Sequence, residues 1–246
     1  MLVQDNNAHS SESTPAAKDL IKKMEEISKT SLPEWCATHT VRGLDELKGE
    51  RNALVAQIRQ AQEAIAGLDS RITKLEYVKN ALLGAEGPSL MDACAQVFSS
   101  LGWQVKLSEL NENELWLAHA NQTQIITRVV KSTAQAKRTE LAQLGESVIT
   151  YWGEYETEPK GVFVASTWSN RPPSERSEPD YPEALVEFAA KKNLCLVTTM
   201  QLVHMYDDLE LGRVSPEEIR LKLQETRGLF PGYLPAPEPQ QQAAVI

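Results

Sequence analysis

The sequence predicts an α/β domain with the element order α-β-β-β-α-β and further helices at its C-terminal end. One long coiled-coil helix precedes it. Three observations carry this reading. Apolar residues recur every seven positions between Leu44 and Leu83, the spacing of a coiled-coil seam. Asn113 to Lys131 holds two runs rich in apolar, aromatic and β-branched residues around Ala120-Asn-Gln-Thr123, the pattern of a β-hairpin. Gly161-Val-Phe-Val-Ala165 and Leu194-Cys-Leu-Val-Thr198 are short apolar runs separated by a helical stretch, as in buried strands joined by a crossover.

Composition sets the outer limits. The 246 residues, 41% hydrophobic, suffice for one substantial domain with extensions. The formal net charge is −9. Free-standing nucleic-acid binders usually carry a basic excess, so nucleic-acid contact here requires a local basic patch. Cys36, Cys94 and Cys195 are far apart and odd in number. They indicate neither a disulfide framework nor a zinc knuckle, and a reducing cytoplasm is the expected setting. Met1-Leu-Val-Gln-Asp5 lacks the basic and apolar regions of a secretory signal. No apolar run is long enough to span a bilayer, so no membrane partner is expected.

The chain in order begins with a polar stretch to about Pro15, expected to be disordered. Leu20, Ile21, Met24 and Ile27 then mark a short amphipathic helix. Residues 1–30 form this tail and helix, and 31–43 form a linker broken at Pro33, with Trp35 as a docking residue. From 44 to 84 the heptad governs. Leu47, Leu54, Ala61, Leu68, Leu75 and Leu82 occupy position d. Leu44, Ile58, Ile65 and Ile72 occupy position a, interrupted by Arg51 and Lys79. Ile at a with Leu at d favours two parallel strands. Arg71 at g would face Glu76 at e of the partner helix. A homodimer through Leu44–Leu83 is the expectation. Gly67 costs about 1 kcal/mol relative to Ala in mid-helix, and the competing arrangement is an intramolecular hairpin bent there.

Gly84-Ala-Glu-Gly-Pro88 ends the long helix. Ser89 to Leu101 is a helix stopped by Gly102. Trp103, Val105 and Leu107 alternate with polar residues, giving a strand, and the two hairpin strands follow. Thr133 to about Trp152 is a helix carrying Leu141, Leu144, Val148 and Ile149. Ser169 to Pro182 is a loop rich in Pro, Ser and Arg. A helix over Pro182–Lys192 leads to the strand at Leu194, and Thr199 opens another helix. Ser215, Pro216 and Glu218 spell a capping box for the last helix, which stops near Gly228. The segment 229–246, rich in Pro and Gln, is expected to be a disordered tail.

The chemistry concentrates at the hairpin. Glu114 opens its first strand and Lys131 closes its second, so a carboxylate and an ammonium are expected to converge at one edge of the sheet. Such a pair suits a metal-dependent phosphodiesterase centre. That centre needs a second carboxylate, because Mg²⁺ demands oxygen ligands. The residue two before Lys131 shares its face, and it is Val129.

Residues 87–228 resemble the PD-(D/E)XK, or restriction-endonuclease-like, nuclease superfamily, in particular bacterial proteins in which a coiled coil precedes such a domain. The resemblance rests on Leu101-Gly102-Trp103, Glu114-Leu-Trp-Leu117, Lys131-Ser132, Gln143-Leu144, Lys160-Gly161-Val162, the Asn170–Arg176 loop and Leu196-Val-Thr-Thr199. It implies the restriction-endonuclease-like αβββαβ core. It also implies that acids at the positions of Glu114 and Val129 bind divalent metal, while the lysine at Lys131 positions the attacking water. Here Glu replaces Asp, Val129 supplies no ligand, and Met91 stands where the first helix often carries Glu, with Asp92 one residue off. These departures describe a degenerate site.

Some superfamily members move the second carboxylate to the following helix. Glu140 sits there one turn before Gln143, so Glu114, Glu140, Gln143 and Lys131 form a candidate migrated site, with Glu114 and Glu140 as ligands of one Mg²⁺. The alternative is that Glu140 is a solvated surface acid. Arg128, Lys131, Lys137 and Arg138 are the concentrated basic stretch that would meet phosphate; a solvated face is the other reading. His119 reads as a surface residue, and His204 and Met205 as packing.

The function these features imply is a coiled-coil-dimerised, catalytically degenerate nuclease-like module that binds DNA, RNA or a protein partner in a bacterial assembly, with no cofactor. An active Mg²⁺-dependent nuclease using Glu140 is the first alternative. A protein–protein scaffold without nucleic-acid contact is the second.

Overall fold

The computed structural model describes residues 15–28, 33–39, 41–108, 111–176 and 178–233. The tails expected to be disordered at 1–14 and 234–246 lie outside the described residues. The chain divides into two units, with the boundary between Ala66 and Gly67.

The first unit holds helices α1 (Pro15–Ser28), α2 (Trp35–Thr38) and the start of α3 (Arg42–Gly84). Its apolar side chains have no cover among the described residues. Leu20, Ile21, Met24, Ile27 and Trp35 are exposed, as are Leu44, Leu47, Leu54, Ile58 and Ile65 of the heptad. Helix α3 runs through Gly67 without a break, so the intramolecular hairpin bent at that residue is not formed.

The second unit is a mixed six-stranded sheet between helices. Its elements are α4 (Pro88–Ser100), β1 (Gln104–Leu107), β2 (Glu114–His119), β3 (Gln122–Lys131), α5 (Arg138–Tyr155), β4 (Lys160–Ser166), α6 (Glu183–Lys191), β5 (Leu194–Thr198), α7 (Thr199–Glu210), α8 (Pro216–Glu225) and β6 (Gly228–Leu229). The order from α4 to β4 is the expected α-β-β-β-α-β. The strands lie side by side in chain order. β1, β2 and β3 are antiparallel neighbours, and β3 through β6 are parallel.

Each sheet face has its own core. Ile125, Val129, Val162, Val164 and Val197 pack with α4, α7 and α8 on one face. Ile126, Phe163, Ala165 and Leu196 pack with α5 and α6 on the other. β4 and β5 are covered on both faces, which is why they read as continuous apolar runs. The last turns of α3 join the first face: Val78 and Leu82 are fully buried there. The heptad position Leu82 therefore packs within its own chain, and the open seam ends near Ile72, which is exposed.

Local signals explain the joints. Ala120 and Asn121 both have positive φ, 50° and 63°, making the two-residue turn that suits the right-handed twist of a hairpin. Gly102 follows α4 at φ 91°, a conformation open to glycine. Thr198 and Gln201 form a capping box at the start of α7, where no such box was expected. Ser215 sits at the N-cap of α8 without a side-chain cap bond, so the box expected there is not formed. Gly228 and Leu229 pair with β5, and the buried Phe230 donates its N–H to the Leu196 carbonyl at 2.9 Å. The domain thus continues past 228, into what was expected to be the tail.

Candidate functional site

The hairpin register decides what meets what. Next to the turn, His119 pairs with Gln122 and Ala118 with Thr123. Leu117 then pairs with Ile125, because the ladder slips by one residue between Leu117 and Ala118. Gln124 is the extra residue of this bulge. A one-residue slip moves every later side chain to the other face of its partner strand. Without it, Glu114 would lie opposite Thr127 and share a face with Lys131. With it, Glu114 lies opposite Arg128.

Glu114 and Lys131 therefore stand at the same end of the sheet on opposite faces. Glu114 turns toward α5 and is buried, with 2% of its surface exposed. Its Oε1 accepts from Arg128 Nη1 at 2.9 Å and from Ser147 Oγ at 2.8 Å. Arg128 Nη2 donates to Gln143 Oε1 and lies 3.6 Å from Glu140 Oε2. The Arg128 side chain is buried as well, and its Nε has no hydrogen-bond partner among the described residues. A charge buried this deeply needs a paired opposite charge and saturating hydrogen bonds. Two carboxylates and an amide oxygen supply much of that around one guanidinium, and the Ser147 hydroxyl supports it by donating to Glu114.

Lys131 belongs to the other face, with Val129. Its Nζ donates to the carbonyl of Gly84 at 2.9 Å and lies 3.5 Å from Glu86. The lysine thus binds a carbonyl at the C-terminus of α3, where a cation is favoured. Beside it, the chain preceding β2 offers Asn113, whose carbonyl accepts from the Val129 N–H at 2.9 Å. Met91 is buried in the apolar core. Asp92 accepts from Tyr77 Oη and Gln96 Nε2, each at 2.8 Å. Among the described residues, no group of three or more His, Cys, Asp or Glu side chains is placed to hold a metal ion.

Of the sequence-predicted site, then, Glu114, Glu140 and Gln143 come together, and Lys131 does not join them. The position between the two carboxylates is occupied by Arg128. Of the four basic candidates, Arg128 is consumed by this network and Lys131 by the end of α3. Lys137 and Arg138 remain exposed at the start of α5, with the Arg138 guanidinium 4.7 Å from the Phe188 ring centroid. His119 and His204 are exposed, and Met205 is buried. Ser147, absent from the sequence reading, is part of the network; its position one turn after Gln143 was the available signal. Lys160 was likewise not singled out as chemistry. It is nearly buried at the start of β4 and donates to Asn193 Oδ1 at 2.8 Å; burial lowers its pKa.

No protein-family model matches the chain, and no curated protein matches it in sequence. One solved structure, restriction endonuclease FokI bound to DNA, is similar over 64% of this chain and 30% of its own length. The identity is 12% and the TM-score 0.43. The chain spans about a third of that protein, and a likeness at this level decides neither family nor function. No described helix is long and apolar enough to cross a membrane.

Proposed function

We propose that the domain running from the last turns of α3 to Phe230 is a restriction-endonuclease-like module whose metal-dependent cleavage centre is dismantled, joined in pairs by the coiled coil of α3, and that it serves as a binding module for nucleic acid or a protein partner in a bacterial assembly. The observation that carries this reading is the separation of Glu114 from Lys131 across the sheet. A cleavage centre of this class needs carboxylates and lysine around one phosphate. Here the carboxylates surround Arg128, and the lysine serves a helix terminus. The strand positions beside Lys131 on its face offer Val129 and Asn113, neither of which is an acid; the one carboxylate paired with Lys131 among the described residues is Glu86, 3.5 Å away in the turn after α3.

The active alternative, with Glu140 as migrated ligand, meets a specific obstacle. Glu114 and Glu140 do share a neighbourhood, but a guanidinium stands between them and would have to leave before Mg²⁺ entered. Incubation with single- and double-stranded DNA and RNA in Mg²⁺ and Mn²⁺ tests the reading: no cleavage is expected.

Dimerisation is supported by the exposed seam from Leu44 to Ile72. Helix α1 offers four apolar residues over two turns, too short a stripe to cover eight turns of α3. A second copy of α3 covers it fully, and burying each Leu or Ile contributes about 1.5–3 kcal/mol. Light scattering on the full chain checks this; a monomer would exclude it.

A further inference from the structure

Three rings meet beside the hairpin. Trp116 of β2 stands edge-to-face with Tyr151 of α5, centroids 5.1 Å apart, and with Tyr155 at 6.2 Å; the two tyrosines stack at 4.4 Å. They wall a cleft of about 540 Å³ whose rim includes Lys106 and Glu154. A neighbouring hollow of about 340 Å³ shares Trp116, Tyr151 and Glu154 and adds Glu146. The two form one trough along α5. Glu146 and Glu154 are exposed, and neither forms an ion pair among the described residues. Glu114 also reaches the hollow, but Arg128 neutralises it. Among the described residues, the trough therefore holds two uncompensated carboxylates against the single ammonium of Lys106.

We propose that this trough docks an arginine side chain presented by a partner protein. Aromatic faces attract a cation, and a guanidinium can stack flat on a ring while its N–H groups fork onto a carboxylate. Glu154, which lines both hollows, is the carboxylate best placed for that fork. The chain already uses the ring contact elsewhere: Arg138 lies over Phe188, and Arg171 lies 5.3 Å from the Trp168 centroid. A nucleic-acid strand would also find rings to stack on, but its phosphates would pass Glu146 and Glu154, and the charge balance disfavours it. The inference goes beyond the dismantled-centre reading and stands or falls without it.

The test uses the full-length protein and two probe peptides, acetyl-Arg-Gly-Arg-Gly-Arg-amide and its citrulline counterpart, followed by calorimetry or tryptophan fluorescence. Citrulline keeps the shape and removes the charge. The arginine peptide is expected to bind saturably and about tenfold more tightly than the citrulline peptide. Glu154→Gln, an exposed and conservative change, should weaken it several-fold, as should Tyr155→Ala with an unchanged circular dichroism spectrum. Equal binding of the two peptides, or no saturation with either, overturns the proposal. So does an octathymidylate that binds and is lost in Tyr155→Ala while the arginine peptide does not bind. Each of these results is independent of whether the protein cleaves nucleic acid.

Discussion

Arg128 lies directly opposite Glu114 across the β2–β3 ladder, and its Nη1 is 2.9 Å from Glu114 Oε1. Both side chains are nearly inaccessible to solvent. Removing one partner leaves the other as an uncompensated buried charge. Arg128→Ala is expected to cost about 3–5 kcal/mol of stability. The double replacement Glu114→Leu with Arg128→Met removes both charges and should cost much less. Urea denaturation of the natural protein, Glu114→Leu, Arg128→Met and the double replacement measures the coupling, and additive losses would show that the pair is not coupled.

Leu82 has the heptad position of a dimer seam and the burial of a domain core. Leu82→Ala should therefore destabilise the domain by about 2–5 kcal/mol while leaving the oligomeric state intact. Ile58→Asp with Ile65→Asp should do the reverse: a monomer by light scattering, with the domain's unfolding midpoint kept. A chain truncated at Gly87 would lose Val78 and Leu82 from the core, so seam substitutions separate the two roles more cleanly than truncation.

The element order was readable from the sequence because periodicity and turn chemistry speak for themselves. The apolar runs at Gly161 and Leu194 became buried parallel strands, and Asn121 marked the hairpin turn. The site was legible only in part. Alternation along β3 placed Val129 with Lys131 correctly, since that strand runs regularly beside β4. The face of Glu114 depended on the slip at Leu117–Ala118, and nothing in Leu-Ala-His-Ala-Asn-Gln-Thr-Gln announces a bulge. One extra residue, Gln124, moved the carboxylate from the lysine to the arginine. Arg128 was noted as a basic residue, but its burial depends on α5 closing over it with Glu140, Gln143 and Ser147, which is tertiary information. The entry of the heptad into the domain core from Leu75 onward was hidden for the same reason: a leucine at d reads alike in a dimer seam and in a domain core.

Two buried proton-bearing groups tie stability to alkaline pH. Burial pushes the Cys195 thiol up to about 12 from 9.0, and burial also raises the Tyr181 hydroxyl. Unfolded, both ionise near their ordinary values, so above pH 9 the unfolded state binds fewer protons than the native one. Stability is then full below that pH and falls as pH rises toward 12. Cys195→Ala should make the fall shallower; an unchanged slope in denaturation between pH 9 and 11 would contradict the assignment.

The separation of Glu114 from Lys131 is tested most directly by a cleavage assay. Purified full-length protein is incubated with single-stranded and duplex DNA and RNA in Mg²⁺ and in Mn²⁺, beside Lys131→Ala and Glu140→Gln. With the carboxylates held by Arg128 and the lysine held by the end of α3, all three proteins should leave the substrates intact. Cleavage by the natural chain that either substitution abolishes would contradict the account, because it would place that residue in a working cleavage centre.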